Sequence, residues 1–150
     1  MANTFTCLEY HVVFSTKNRE PWLHKEIQER VWAYLGGIAR QNELKPLLIG
    51  GVEDHIHVLL SVPPSIAVSE ALKQLKGGSS GWIKQNIPGC LGFGWQDGYG
   101  AFSLSKSQEP GVKNYIRDQR EHHRVQTFQE EYRALLDRHG IKYDERYLWD

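Results

Sequence analysis

Two histidines separated by one residue, His55 and His57, lie in the run HIHVLLSV. If that run is a strand, alternation sends Ile56, Val58, Leu60 and Val62 to one face and His55, His57, Leu59 and Ser61 to the other. The apolar set belongs against a core. The two imidazoles then point together to the opposite face, suitably placed to ligate one divalent ion. Spacing alone leaves two solvated surface histidines as the commoner outcome of an H-x-H. Downstream, Val112, Tyr115, Ile116 and Gln119 recur at helical spacing, with an amide at Gln119 where a hydrophobe is expected, one turn after Tyr115. Taken alone, Tyr115 reads as a packing aromatic and Gln119 as a boundary residue. Asp54, just before the histidine pair, could orient His55 as an acceptor, although a turn-forming Asp is the simpler reading. His11 reads first as an ordinary sheet histidine, sharing the His55 face if its strand lies beside theirs. His122 and His123 read as exposed residues at a helix C-terminus.

The elements that must position these groups follow one another with short connections. Glu9 to Thr16 is rich in β-branched and aromatic residues and predicts a strand. Leu23 to Gln41, after Pro21, carries Ile27, Val31, Tyr34, Leu35 and Ile38 at helical spacing. Pro46 to Val52 and His55 to Val62 predict a strand pair. Ser65 to Gln85 predicts a second amphipathic helix, interrupted by Gly77 and Gly78 at ~1 kcal/mol each relative to Ala. A fourth strand spans Tyr99 to Ser105, a third helix runs from Pro110 through His123, and a fourth covers Thr127 to Arg138. The order β-α-β-β-α-β with added C-terminal helices predicts an α+β fold, the ferredoxin-like split β-α-β arrangement. Both crossover helices then cover one face of an antiparallel sheet, and the other face is left open for a site.

Composition sets the bounds. The 150 residues fit one domain, 1–150, and can bury a core without disulfides. Charged residues are 24% and hydrophobic ones 40%, which excludes a disordered or low-complexity chain. No apolar run approaches the ~18 residues needed to span a bilayer, and the first residues lack a signal-peptide pattern, so no membrane partner and a cytoplasmic location are expected. Cys7 and Cys90 are too few for a disulfide framework or a thiolate zinc site. Eighteen Lys+Arg balance eighteen Asp+Glu, so any nucleic acid must be bound through local rather than bulk charge.

Five blocks give the chain a family likeness: YHVVFSTKNREP, the His-hydrophobic-His strand within GGVEDHIHVLLSVPP, LKGGSS, WQDGYGAFS and the Tyr-x-x-x-Gln of YIRDQ. Together, across nearly the whole chain, they resemble the single-tyrosine HUH transposases of the insertion-sequence 200/605 class, which cut and join single-stranded DNA. The resemblance implies that His55, His57 and Gln119 bind Mg²⁺ or Mn²⁺ and that Tyr115 is the nucleophile. It further implies a homodimer, with His55 and His57 of one subunit facing Tyr115 and Gln119 of the other, and a single-stranded DNA substrate marked by a hairpin. The chemistry is coherent. A divalent ion offsets the phosphodiester charge that repels nucleophiles. A phenol of pKa ≈ 10 leaves readily when the strand is rejoined.

Candidate DNA contacts come from two segments. Lys17, Arg19 and Trp22 set charge beside an aromatic platform for unpaired bases. Lys73, Lys76, Ser79 and Ser80 surround Gly77 and Gly78, where backbone and hydroxyls could approach phosphates. A solvated helix face explains the second group nearly as well, and helix capping explains Trp22. Three rival readings remain open at this point: a domesticated, REP-associated type of transposase acting on chromosomal palindromes, a non-catalytic nucleic-acid-binding module, and a metal hydrolase that needs His55 and His57 but not Tyr115.

Overall fold

A computed structural model describes residues 3–150. Strand β1 (Glu9–Ser15) leads to helix α1 (Lys25–Gln41), a pair of strands β2 (Lys45–Gly51) and β3 (His55–Ser61), helix α2 (Val68–Asn86) and strand β4 (Gly100–Leu104). Three further helices follow, α3 (Glu109–Arg117), α4 (Gln119–His123) and α5 (Phe128–Arg138). The sheet order is β2-β3-β1-β4 and every pairing is antiparallel, which is the expected split β-α-β topology. Among the described residues no helix is long and apolar enough to cross a membrane.

One face of the sheet carries Val12, Phe14, Ile56, Val58 and Leu60 into a core with Val31, Leu35 and Ile38 of α1 and Leu72, Leu75 and Ile83 of α2. The glycines in α2 do not break it. Gly78 lies against α1, where a Cβ would sit 3.0 Å from Ile38 Cδ1, so the missing side chain lets two helices approach. The opposite face, expected to be open, is covered: Val13 and Phe102 pack with Phe128, Tyr132, Leu135 and Leu136 of α5. The amphipathic stripe of α5 needs an apolar partner, and this face supplies it. The expectation of an exposed site face is therefore corrected, since His55 and His57 are wholly buried.

The predicted third helix is two. At Asp118 the backbone leaves helical geometry (φ −92°, ψ 17°), separating α3 from α4, although Asp118 N still bonds Asn114 O at 3.0 Å. Asp is a weak helix former because its side chain competes for nearby backbone groups. α3 rests on the sheet at Gly50, where a Cβ would come within 2.9 Å of Ile116 Cγ2. Gly50 pairs with His57 across the β2–β3 ladder.

Candidate active site and metal centre

The histidine strand is central in the sheet, flanked by β1 and β2, and its alternation holds as the sequence predicts. Each ring is fixed through Nδ1. His55 Nδ1 lies 2.7 Å from Asp54 Oδ1, and His57 Nδ1 shares a 2.7 Å hydrogen bond with His11 Nε2. Asp54 and His11 thus do more than turn a chain and fill a sheet. With Nδ1 engaged, each ring presents Nε2 to the same point, as orienting partners of metal-binding histidines do.

That point is a carboxylate the sequence reading did not single out. Glu131 of α5 places Oε1 3.3 Å from His55 Nε2 and 3.2 Å from His57 Nε2. His123 Nε2 reaches the same oxygen at 3.0 Å. The second oxygen, Oε2, accepts from the Tyr115 hydroxyl and from Gln119 Nε2, the latter at 3.2 Å. Gln119 Oε1 in turn lies 3.1 Å from His55 Nε2. An isolated carboxylate could not be buried at this depth without donors on every side. His123, expected to be exposed, is thus part of the cluster.

The electrostatics follow from burial and these contacts. For Glu131, burial opposes ionisation, yet hydrogen bonds from His123, His55 and His57 outweigh it and hold the carboxyl far below its usual range. For His55, burial again opposes charge, but Asp54 and Glu131 win and raise its pKa to about 9, so the cluster favours positive charge at this ring. Burial lowers His57, and burial with His57 nearby lowers His11 to about 3, so both are neutral. Burial and the Glu131 charge raise the Tyr115 phenol above its ordinary value.

The donor set fits a divalent cation. His55, His57 and Glu131 each offer one ligand atom, all within 4.8 Å of one another. Two imidazole nitrogens and a carboxylate oxygen, with an amide oxygen alongside, suit Mg²⁺, Mn²⁺ or a borderline transition metal rather than a thiophilic one. Tyr115 and Gln119, which the sequence expectation sets against a second subunit's histidines, here meet those of their own chain, so one chain assembles the cluster alone.

The candidate DNA contacts divide. Lys17 is exposed, Arg19 is half-buried and Trp22 packs edge-on against Phe93. Lys73 and Ser80 sit on α2, in the layer across the sheet from the cluster. Ser79 is a correction: it is 1% exposed, donates to Leu75 O at 2.6 Å and accepts from Trp95 Nε1 at 2.9 Å. Lys76 is likewise engaged, donating to Asp97 O at 2.8 Å and Gly98 O at 3.0 Å. Both tie α2 to the approach to β4, and the buried Ser79 hydroxyl is not free to contact DNA.

Glu131 carried a signal that could have found it. It falls within the apolar stripe of Phe128, Tyr132, Leu135 and Leu136, an acid where a hydrophobe is expected, just as Gln119 is an amide in such a place.

Comparison with known proteins adds the lineage. The family described as "Transposase IS200 like" matches residues 4–119. ISDra2 transposase TnpA of Deinococcus radiodurans is 30% identical over 119 residues, covering 75% of this chain and 84% of that protein. The transposase for insertion sequence element IS200 of Salmonella typhimurium is 30% identical over 127 residues, covering 81% and 82%. A crystal structure from D. radiodurans described as that of a transposase superposes with a TM-score of 0.66 at 27% identity, covering 79% of this chain and 95% of the other. A REP-associated tyrosine transposase bound to a REP hairpin superposes at 0.60, covering 82% and 74%, and at 12% identity it shares the fold. The matched residues contain the histidine strand and the Tyr-x-x-x-Gln helix, and on them this chain belongs to the IS200-like transposase family.

Proposed function

We propose that this transposase cleaves and rejoins single-stranded DNA at hairpin-marked ends through a 5′-phosphotyrosine on Tyr115, with Mg²⁺ or Mn²⁺ held by His55, His57 and Glu131 and with Gln119 beside them. The observation that carries this reading is the convergence of both histidine Nε2 atoms on Glu131 Oε1 while the Tyr115 hydroxyl bonds the other oxygen of the same carboxylate. Nucleophile and ligand set thus share one anchoring group. A metal hydrolase would have no use for the phenol there.

When bound, the divalent ion supplies positive charge that polarises the scissile phosphodiester and lowers the phenol's pKa. The chain's own residues do the rest. Asp54 and His11 hold the two imidazoles in the ligating tautomer. Glu131 Oε2 accepts the Tyr115 hydrogen bond and so fixes the phenol beside the two imidazoles; held far below its ordinary range it does not keep the phenol proton, which passes to solvent as the phenolate forms. Tyr115 Oη then attacks phosphorus, the P–O3′ bond breaks, and the departing 3′-oxygen takes up a proton. The 5′-phosphate stays esterified to Tyr115 until a 3′-hydroxyl attacks in reverse, so rejoining needs no external energy source. A hairpin as the mark of the DNA end draws support from the hairpin-bound protein of the same fold.

The test is a covalent adduct. Incubated with Mn²⁺ and single strands drawn from the DNA flanking its gene, the wild-type chain should gain the mass of a DNA 5′-phosphate on Tyr115. Tyr115→Phe should form none. Full cleavage by Tyr115→Phe would replace this mechanism with water activation.

A further inference from the structure

Beside the cluster lies a cleft of about 850 Å³, between the loop after β1, the β2–β3 turn and the α4–α5 connection; it reaches the cluster only through Asp54 and His123, the metal-candidate side chains themselves being buried behind it. Its volume lies in the ~300–1,000 Å³ range of pockets that take small organic ligands. Asp54 and His123, which both touch the cluster, are among the residues that line the cleft. Three arginines line it. Arg120 is neutralised by Glu53 at 2.8 Å and Arg124 by Glu121 at 2.6 Å. Glu130 lines the rim as well, so the cleft has no overall cationic excess to attract an anion.

Arg19 differs from its neighbours. It makes no ion pair among the described residues, and its buried Nη1 has no hydrogen-bond partner. An unpaired guanidinium nitrogen out of water is a standing cost, and because Nη1 is itself shut off from solvent an incoming ligand would meet the group's other nitrogens. One face of the group is taken up by the Trp149 ring, 5.4 Å from Arg19 Cζ to the ring centre, which leaves the in-plane N–H donors as its available edge. The backbone beneath is strained: Asn18 and Arg19 both have left-handed φ, 56° and 57°. The loop is pinned in that shape by Thr16 N to Asp54 O at 2.8 Å, Lys17 N to Gly94 O at 2.8 Å and Leu23 N to Glu53 O at 2.9 Å. Arg19 is therefore fixed to the turn that carries Asp54, one residue from His55.

We propose that Arg19 binds a backbone phosphate of single-stranded DNA in this cleft, next to the phosphate that is cut, and so sets which phosphodiester lies over the metal cluster. This deepens the functional reading above and rests on it. Arg presents its donors in a planar fork matched to phosphate oxygens, and phosphate contacts fix register without reading bases.

The test compares wild type with Arg19→Gln by fluorescence anisotropy, in Mn²⁺, on a labelled single strand from the gene's flank and on copies with one phosphate at a time replaced by neutral methylphosphonate. For wild type, one position beside the cleavage point should weaken binding about tenfold. Arg19→Gln should bind the unmodified strand about tenfold more weakly, lose nothing more at that one position, and lower the salt dependence by about 0.7 in log–log slope. Unchanged melting temperature and Mn²⁺ affinity in the variant should accompany this. Equal binding by Arg19→Gln, or a loss that simply adds to every methylphosphonate alike, overturns the proposal. Absence of any Tyr115 adduct with the wild-type chain would overturn the strand-transfer reading instead, leaving the phosphate comparison to stand or fall by itself.

Discussion

Glu131 meets four side chains of three types across its two oxygens, and that makes it an anchor as well as a proposed ligand. Replacing it with Gln keeps its shape but removes the charge that His55, His57 and a divalent ion require. Glu131→Gln is expected to weaken Mn²⁺ binding at least about tenfold by isothermal titration calorimetry, while Tyr115→Phe leaves that affinity unchanged. Equal Mn²⁺ affinity in wild type and Glu131→Gln would remove Glu131 from the ligand set. At this scale the shared face of the histidines was legible because strand alternation is a local rule, and Gln119 stood out as an amide in an apolar stripe, whereas their chemistry was implied only by the family resemblance. Glu131 lies 74 residues from His57, and nothing between them records that α5 folds back over β3. Its neighbour Glu130 is an ordinary exposed acid, and only the register of the helix tells the two apart.

The elements themselves were mostly readable, since each long amphipathic stretch carries its period on its face. The boundaries moved by a few residues, and the break at Asp118 was missed because Tyr115 and Gln119 keep their one-turn relation across it. The burial of the site face was missed for a different reason. A two-layer reading accounts for α1 and α2 and then has no demand left for α5, whereas the Val13 and Phe102 side chains create that demand. Assigning Ser79 to DNA failed because a Ser in a Gly-rich helix segment resembles a phosphate-approach motif, and the Trp95 indole that claims its hydroxyl is distant in sequence. Ser79→Ala leaves that indole N–H buried and unpaired, which should cost about 1–3 kcal/mol. The expected result is a melting temperature lower by a few degrees with unchanged DNA affinity of the folded protein. Loss of DNA affinity without loss of stability would return Ser79 to the DNA surface.

For the molecule as a whole, the candidate site draws on elements far apart along the chain. His55 and His57 of β3, Tyr115 of α3 and Glu131 of α5 meet within one chain. Two inactive variants, His57→Ala and Tyr115→Phe, co-refolded together should therefore recover no cleavage, because every chain in the mixture carries one lesion in its own site. Recovered cleavage would show that a partner chain supplies the missing group, the arrangement expected from the family likeness together with the short connection into the third helix and the exposed sheet edges. The matched family region ends at residue 119, so the closing segment with Glu131 and His123 lies outside it.

Gly50 has a mechanical consequence. It is the strand residue paired with His57, and Ile116, the neighbour of Tyr115, lies directly on it with no room for even a methyl group between. The helix that carries Tyr115 thus seats the Ile116 side chain directly on β2, the strand beside the histidines, and the gap between phenol and imidazole is gauged by a missing side chain as a machinist sets a clearance with no shim. Since a misplacement of about 1 Å can cost on the order of a hundredfold in rate, a residue outside the proposed ligand set and away from the phenol would hold the tolerance of the proposed reaction.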